Sequence, residues 1–207
     1  MGIVPVVPAV EHALALGAAA RTVVLVEGIS DRIALETLAA RHGRDLAAED
    51  VAVVPIGGAQ AIGRYLELYG PRGLGLTLAG LCDAGEEREF RRGLERAGLG
   101  GGLTRTTMET LGFHVCEADL EDELIRALGT DAVERVVEAN GDLRAFRTLQ
   151  KQPEWRGRPA GEQLRRFMGS GGRRKIRYAR LLVEALEPDA APRPLQLVLE
   201  RALNGPG

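Results

Sequence analysis

Acidic residues follow three short apolar segments of this 207-residue chain. Glu27 closes the first segment and Asp31 comes four residues later, Asp83 closes a later one, and Asp119 and Glu121 follow the last. Because the carboxyl ends of parallel strands meet at one rim of a sheet, these side chains are expected to converge there. Carboxylate oxygens are the ligands that Mg²⁺ prefers, and without a cation such groups repel one another. The pattern therefore predicts a divalent-metal site.

Each acidic group also has a simpler interpretation. An Asp or Glu at the start of a helix is commonly an N-cap or a partner of the helix dipole, which fits Asp31, Glu86 and Asp119 when each is taken singly. Their joint occurrence at three strand ends favours the metal site. Glu86 and Glu123 are predicted to be further ligands or to hydrogen-bond the ligands.

The elements that must position these residues alternate regularly. Strands are predicted at Thr22–Glu27, Val51–Ile56, Gly73–Asp83 and Gly112–Asp119, with amphipathic stretches between them. This β-α order predicts an α/β fold with a mostly parallel sheet and helices on both faces. After Asp119 only helical patterns follow. We predict an N-terminal helical segment at 1–20, an α/β core at 21–130 and a C-terminal helical extension at 131–207.

Composition limits the classes of function. The net charge is −2 and the sequence pI is about 6.0, so any nucleic acid must be held locally, by metal ions or by an arginine patch. Cys82 and Cys116 are too few and too far apart for a zinc site or a disulfide scaffold, and they indicate buried thiols in a reducing cytoplasm. No signal peptide and no apolar run of membrane-spanning length is predicted, so we expect a cytoplasmic protein without a membrane partner.

Lysine is rare, because Lys151 and Lys175 are the only two. Lys175 follows two glycines and two arginines, a setting in which the backbone can approach a phosphate closely. Arg173, Arg174 and Arg177 are predicted to contact nucleic acid. The alternative interpretation is a solvated helix face.

The sequence also resembles a known family. The segments VEGISD (26–31), IGG (56–58) and CDAGE (82–86) resemble the acidic and glycine-turn motifs of a Toprim domain. Downstream, ADLEDEL (118–124) is similar to the third acidic motif, and GGRRKIRYA (171–179) to the lysine-bearing helix start, of OLD-family (overcoming lysogenization defect) endonucleases. The resemblance extends over roughly 21–186.

This resemblance implies a Toprim-type, Rossmann-like fold and a metal-dependent nuclease that hydrolyses DNA through two Mg²⁺ or Mn²⁺ ions. Glu27 and Asp83 would hold one ion, and Asp31, Asp119 and Glu121 the second. The implied catalytic residues are Glu27, Asp83 and Lys175. One departure stands out, because the second Asp of the family's Asp-x-Asp motif is replaced here by Gly85.

Other functions stay open at the level of sequence. Gly85 favours a weakly catalytic or non-catalytic module that binds nucleic acid or a DNA repair or defence partner. An RNA-processing nuclease is a further alternative. Primase or topoisomerase chemistry normally needs additional domains, and a dinucleotide site would want glycines where Glu27 stands. The sequence contains no Gly-x-x-x-x-Gly-Lys-Ser/Thr motif, which binds ATP in many ATPases. If an ATPase regulates this protein, we expect it to act in trans, as a separate chain. The sequence leaves the oligomeric state open.

Overall fold

The computed structural model describes residues 20–187 and 189–205. The helical segment predicted for 1–20 therefore lies outside the described residues, apart from residue 20.

Four parallel strands form the sheet at the centre of the fold. They are β1 (Thr22–Val26), β2 (Val51–Pro55), β3 (Thr77–Cys82) and β4 (Phe113–Val115), in the spatial order β2-β1-β3-β4. All five residues of β1 are buried, as a continuous β-branched run predicts for a strand covered on both faces. β3 begins at Thr77 and not at Gly73, because 70–76 form a turn in which the Gly73 amide donates to the Gly70 carbonyl at 2.9 Å.

Ten helices surround the sheet in the described part of the chain. The first four lie between the strands: α1 (Ile29–Arg41), α2 (Ile62–Tyr69), α3 (Glu87–Arg96) and α4 (Arg105–Thr110). The remaining six follow β4: α5 (Leu120–Leu128), α6 (Thr130–Ala139), α7 (Leu143–Gln150), α8 (Ala160–Gly169), α9 (Gly172–Ala185) and α10 (Arg193–Asn204). Short 3₁₀ turns at Ala59–Ala61 and Ala84–Glu86 precede α2 and α3. Among the described residues, no helix combines the length and the apolar character needed to cross a bilayer.

Helices cover both faces of the sheet, as predicted. Helices α2, α3 and α4 pack on one face through residues such as Leu66, Phe90 and Met108. On the other face, α1 shares a single buried cluster with the C-terminal helices, for example through Leu35 and Leu182. The C-terminal helices thus belong to the same hydrophobic core as the sheet, and this shared core fixes where their polar residues lie relative to the strand ends.

Candidate metal centre

Glu27 stands at the carboxyl end of the central strand β1. The preceding residue, Val26, is paired with Pro55 on one side and Leu81 on the other. The amides of Gly57 and Gly58 donate to the Glu27 carbonyl at 3.1 and 3.3 Å. These glycines have φ values of +75° and +111°, a region that favours glycine, and this explains the glycine turn at this point.

Asp31 lies in the first turn of α1 and is only 7% exposed. Its Oδ2 accepts a hydrogen bond from the Gly28 amide at 2.8 Å. Asp31 therefore caps the start of the helix through one oxygen, as the simpler interpretation predicted, while the same short connection holds it beside Glu27.

Asp83 follows β3 directly, and backbone hydrogen bonds join this strand end to the segment after β4. The Cys116 amide donates to the Cys82 carbonyl at 2.9 Å, and the Ala84 amide donates to the Ala118 carbonyl at 3.1 Å. These bonds tie the connection that follows Asp83 to the segment that leads into Asp119.

Both carboxylate oxygens of Asp119 have partners. Oδ1 accepts from the Asp122 amide at 2.9 Å, which makes Asp119 the N-cap of α5. Oδ2 accepts from Nε of Arg165 at 2.7 Å, across 46 positions of sequence. No local spacing in the sequence connects Arg165 with Asp119, so the sequence does not predict this contact.

Glu121 and Lys175 form an ion pair inside the site. Glu121 is 5% exposed, and its Oε2 lies 3.4 Å from Nζ of Lys175. Lys175 is in the first turn of α9, whose inner side carries the buried residues Ala179 and Leu182, four and seven positions further on. The packing of α9 in the shared core therefore brings Lys175 to the carboxylates.

Crowding and burial make these carboxyl groups hard to ionise. Burial, followed by the charges of Asp31 and Glu27, raises the pKa of Asp83 to about 7. Burial is also the main reason why the pKa values of Glu27, Asp31 and Glu121 lie above their ordinary values. The folded protein thus holds several carboxylates whose negative charge a cation would stabilise.

Lys175 supplies part of the opposing charge. Burial of its ammonium group lowers its pKa, but the carboxylates of Glu121, Asp31 and Asp83 more than offset this, so the pKa lies above the ordinary value. Lys175 is therefore protonated at neutral pH, and one lysine faces several acidic groups.

The donor set fits a hard divalent cation. Two buried carboxylate oxygens, Oε2 of Glu27 and Oε1 of Glu121, have no hydrogen-bond partner among the described residues. Within 20–187 and 189–205, no three Asp, Glu, His or Cys side chains stand close enough to enclose a cation in their present conformations. The engaged oxygens explain this spacing, since Lys175 holds Glu121 and Arg165 holds Asp119. Binding of an ion would therefore require these side chains to move.

The two further acidic residues differ in their surroundings. The negative charge of Glu86 acts on Glu27 and raises its pKa, which places Glu86 near the site. Glu123 is buried, with Oε1 accepting from the Glu117 amide at 2.7 Å and Oε2 lying 2.9 Å from Nη2 of Arg126. Contacts within α5 and its preceding loop thus engage Glu123.

The three predicted nucleic-acid-binding arginines also differ. Arg177 forms an ion pair with Asp142. Arg174 lies 4.3 Å above the Phe167 ring and donates to Oγ of Ser170 at 2.6 Å. Arg173 is exposed, and the structure gives it no ion pair within the described residues. Their role in binding nucleic acid stays a prediction.

Gly85 lies in an exposed 3₁₀ turn after Asp83. A Cβ atom built at this position meets nothing within 4 Å, and its φ is not in the left-handed region. Sterics therefore do not require glycine here, and an aspartate would fit without strain.

The raised pKa of Asp83 predicts a pH-dependent cost of folding without metal. We expect Asp83→Asn to stabilise the metal-free protein at pH 8 by about 2 kcal/mol, a rise in Tm of roughly 5 °C, and to change it little near pH 4. Because the folded-state pKa is raised from 3.8 to about 7, the folded state binds the proton more tightly. Ionisation thus costs stability progressively as the pH rises through that window.

Thermal unfolding in EDTA at both pH values measures this difference. The matched control is Asp131→Asn, an exposed residue at the start of α6, which should shift Tm equally little at both pH values. If Asp83→Asn had a lower Tm than the wild type at pH 8, the raised pKa that we assign to Asp83 would be contradicted.

Comparisons with known proteins agree with this fold. Residues 20–84 match the sequence model of the Toprim domain of overcoming lysogenization defect (OLD) protein-like proteins. The C-terminal region of the Xanthomonas campestris pv. campestris OLD protein has a similar structure, with a TM-score of 0.64 and 25% identity over 89% of this chain and 95% of that chain. The C-terminal region of the Burkholderia pseudomallei OLD protein has a TM-score of 0.68 and 21% identity over 91% and 99%. No curated protein matches.

The matched residues include β1, β2 and β3 and end just after Asp83, so they contain Glu27, Asp31 and Asp83. The structural likeness continues beyond them through most of the helices that bring Glu121 and Lys175 to the strand ends. The chain therefore contains an OLD-like Toprim domain, matched over residues 20–84, within a fold similar to the C-terminal regions of OLD proteins.

Proposed function

We propose that this protein is a divalent-metal-dependent nuclease that hydrolyses phosphodiester bonds of DNA. The observation that carries the proposal is the set of acidic groups at one rim of the sheet, Glu27, Asp31, Asp83 and Glu121, which have raised pKa values and act on a single protonated lysine. The OLD-like Toprim match supports a reaction of the nuclease type.

The proposed cofactor is Mg²⁺ or Mn²⁺, with two ions in the active state. Glu27 and Asp83 would hold the first ion, and Asp31, Asp119 and Glu121 the second. Such ions activate a water molecule and stabilise the leaving oxygen of a phosphodiester. Arg165 would keep Asp119 oriented, because its Nε is already bonded to Oδ2.

The chain itself contributes Lys175 to the reaction. Its side chain is partly buried beside Glu121, and its ammonium group remains positive at neutral pH. A fixed positive charge in a low-dielectric site stabilises the negative charge that accumulates on the phosphate in the transition state. Glu121 acts as a positioning residue for Lys175 as well as a proposed metal ligand.

Incubation of supercoiled plasmid with the purified protein tests this function. We expect relaxed circles to accumulate with Mn²⁺ and no cleavage when EDTA is present. The same incubation with a structured RNA distinguishes an RNA-processing enzyme, which would cleave the RNA and leave the plasmid intact. An absence of cleavage of the plasmid with Mn²⁺, Mg²⁺ or both ions would overturn the proposal.

A module that binds nucleic acid or a DNA repair or defence partner without efficient turnover is the second candidate. Two observations favour it: Gly85 removes a carboxylate from the turn after Asp83, and both oxygens of Asp119 are already engaged. Both features weaken the proposed second ion more than the first. This candidate predicts DNA binding that persists in EDTA and is not followed by cleavage.

A further inference from the structure

A basic cavity lies among the C-terminal helices, beside the acidic rim. It has a volume of about 640 Å³ and is bordered by Arg144 of α7, Arg166 of α8 and Arg174 of α9. Thr148 and Ser170 add hydroxyl groups to its wall, and none of the described residues that line it is acidic. Three cationic side chains from three helices thus border one open space.

In the part of the chain that the structure describes, none of these guanidinium groups forms a salt bridge with a carboxylate. Arg144 and Arg166 are exposed and form no salt bridge within the described residues. Arg174 donates to Oγ of Ser170 and stacks on Phe167 but has no carboxylate partner, and its planar group keeps further N–H donors available. In contrast, Arg165 and Arg177 are paired with Asp119 and Asp142. Uncompensated charge in a protein with a net charge of −2 indicates an anionic ligand.

The basic cavity shares a lining residue with a second cavity that reaches Asp119. A second cavity, of about 410 Å³, is bordered by Asp119 and Trp155 and shares Arg166 with the first. Its two acidic residues are paired, Asp119 with Arg165 and Glu162 with Arg158. Arg166 therefore stands between a space that reaches Asp119 and a space whose charged lining residues are all arginines.

An acidic rim by itself repels a polyanion, so a nuclease of this design needs cations beside the reaction site. Lys175 and Arg165 are paired with Glu121 and Asp119, so they leave little charge to attract the DNA strand away from the scissile phosphate. The unpaired guanidinium groups of the basic cavity offer the missing attraction, and guanidinium binds phosphate oxygens through two parallel hydrogen bonds.

We propose that Arg144, Arg166 and Arg174 bind the phosphate backbone of the DNA substrate outside the scissile bond, along a path that runs from Asp119 past Trp155 into the basic cavity. This inference rests on the proposed nuclease function and adds to it the route of the substrate. It assigns the C-terminal helices a binding role in addition to the placement of Lys175.

Binding of a fluorescein-labelled 30-base-pair duplex, followed by anisotropy in EDTA, tests the path. We expect Arg144→Ala and Arg166→Ala each to weaken the Kd on the order of 5-fold near 100 mM salt, and to reduce the slope of log K against log salt by about 1. The matched control is Arg135→Ala, an exposed arginine of α6 that lines neither cavity. It removes the same charge and should change neither quantity. Because Arg144 and Arg166 are exposed, their removal should leave Tm unchanged.

Hydrolysis of the small diester bis-p-nitrophenyl phosphate with Mn²⁺ separates this inference from the nuclease proposal. We expect the wild type and both variants to hydrolyse it equally, since it is too short to reach the basic cavity. If the wild type, Arg144→Ala and Arg166→Ala bound DNA equally well, the proposed path would be overturned. Hydrolysis of the small diester by the wild type would still support the nuclease proposal. If the wild type did not hydrolyse the diester but bound DNA more tightly than Arg144→Ala and Arg166→Ala, the nuclease proposal would be contradicted and the path supported.

Discussion

Glu27→Gln is expected to reduce Mn²⁺-dependent nicking of plasmid by about 10³-fold, the equivalent of roughly 4 kcal/mol of transition-state stabilisation. Glu27 is a proposed ligand of the first ion, which Gly85 and the engaged oxygens of Asp119 weaken less than the second. Glutamine has the same shape as glutamate but lacks the charge that a hard cation requires. Quantification of relaxed circles over time gives the rate, and thermal unfolding with added Mn²⁺ reports binding of the ion.

This variant separates lost chemistry from lost folding. Oε2 of Glu27 is buried and has no hydrogen-bond partner in the described part of the chain, and burial raises the pKa of this group. Removing its charge should therefore leave the metal-free Tm equal to or above that of the wild type. Glu138→Gln, at an exposed position of α6, is the matched control and should nick at the wild-type rate. If Glu27→Gln nicked plasmid at the wild-type rate, Glu27 would not be a metal ligand.

Lys175→Ala is expected to slow nicking by about 10² to 10³-fold while Mn²⁺ binding is retained or becomes tighter. The ammonium group stabilises charge on the phosphate, so its loss affects the rate. It also competes with a cation for Glu121, since its Nζ lies 3.4 Å from Oε2, so its loss frees that carboxylate. Plasmid nicking measures the rate, and the Mn²⁺ dependence of Tm measures binding.

The chain offers a natural control for this prediction, because Lys151→Ala alters the only other lysine, an exposed residue after α7. We expect Lys151→Ala to nick at the wild-type rate. Lys175→Arg keeps the positive charge, so it is a control for loss of activity through unfolding. It should retain more activity than Lys175→Ala. Equal rates for Lys175→Ala and Lys151→Ala would contradict a role in the reaction. If Lys175→Ala no longer bound Mn²⁺, Lys175 would instead serve to maintain the structure of the site.

Both predictions have a common electrostatic basis. The fold brings Glu27, Asp31, Asp83 and Glu121 to one rim, where burial opposes their ionisation, and Lys175 supplies part of the opposing charge. Such an arrangement is costly without a cation, and binding of one repays part of the cost. The backbone therefore holds hard oxygen donors ready, while their side chains remain too far apart to enclose an ion.

Much of the core was predictable from local pattern. The buried run of β1 placed Glu27 at a strand end, and the same reasoning placed Asp83 after β3. A run of β-branched residues that is apolar at every position has few alternatives to a central strand. The start of β3 was predicted four residues too early, at Gly73. The glycine-rich turn at 70–76 satisfies its own backbone hydrogen bonds and so does not extend the strand.

The role of each acidic residue depends on which group binds each of its carboxylate oxygens. Sequence alone could not decide between cap and ligand for Asp31 and Asp119, and the structure shows that each caps a helix with one oxygen. Arg165 binds the other oxygen of Asp119. Glu123, which belongs to the same acidic motif, is engaged by the Glu117 amide and Arg126.

The four strands and their acidic ends can be predicted from the sequence, because each depends on residues close together in the chain. Which charges meet depends on the packing of distant segments. Lys175 reaches Glu121 because the apolar side of α9 packs into the core shared with α1, and Arg165 reaches Asp119 across 46 positions. Arg144, Arg166 and Arg174 border one cavity for the same reason. Contacts between distant segments arise from burial of whole helix faces, and local spacing does not encode them.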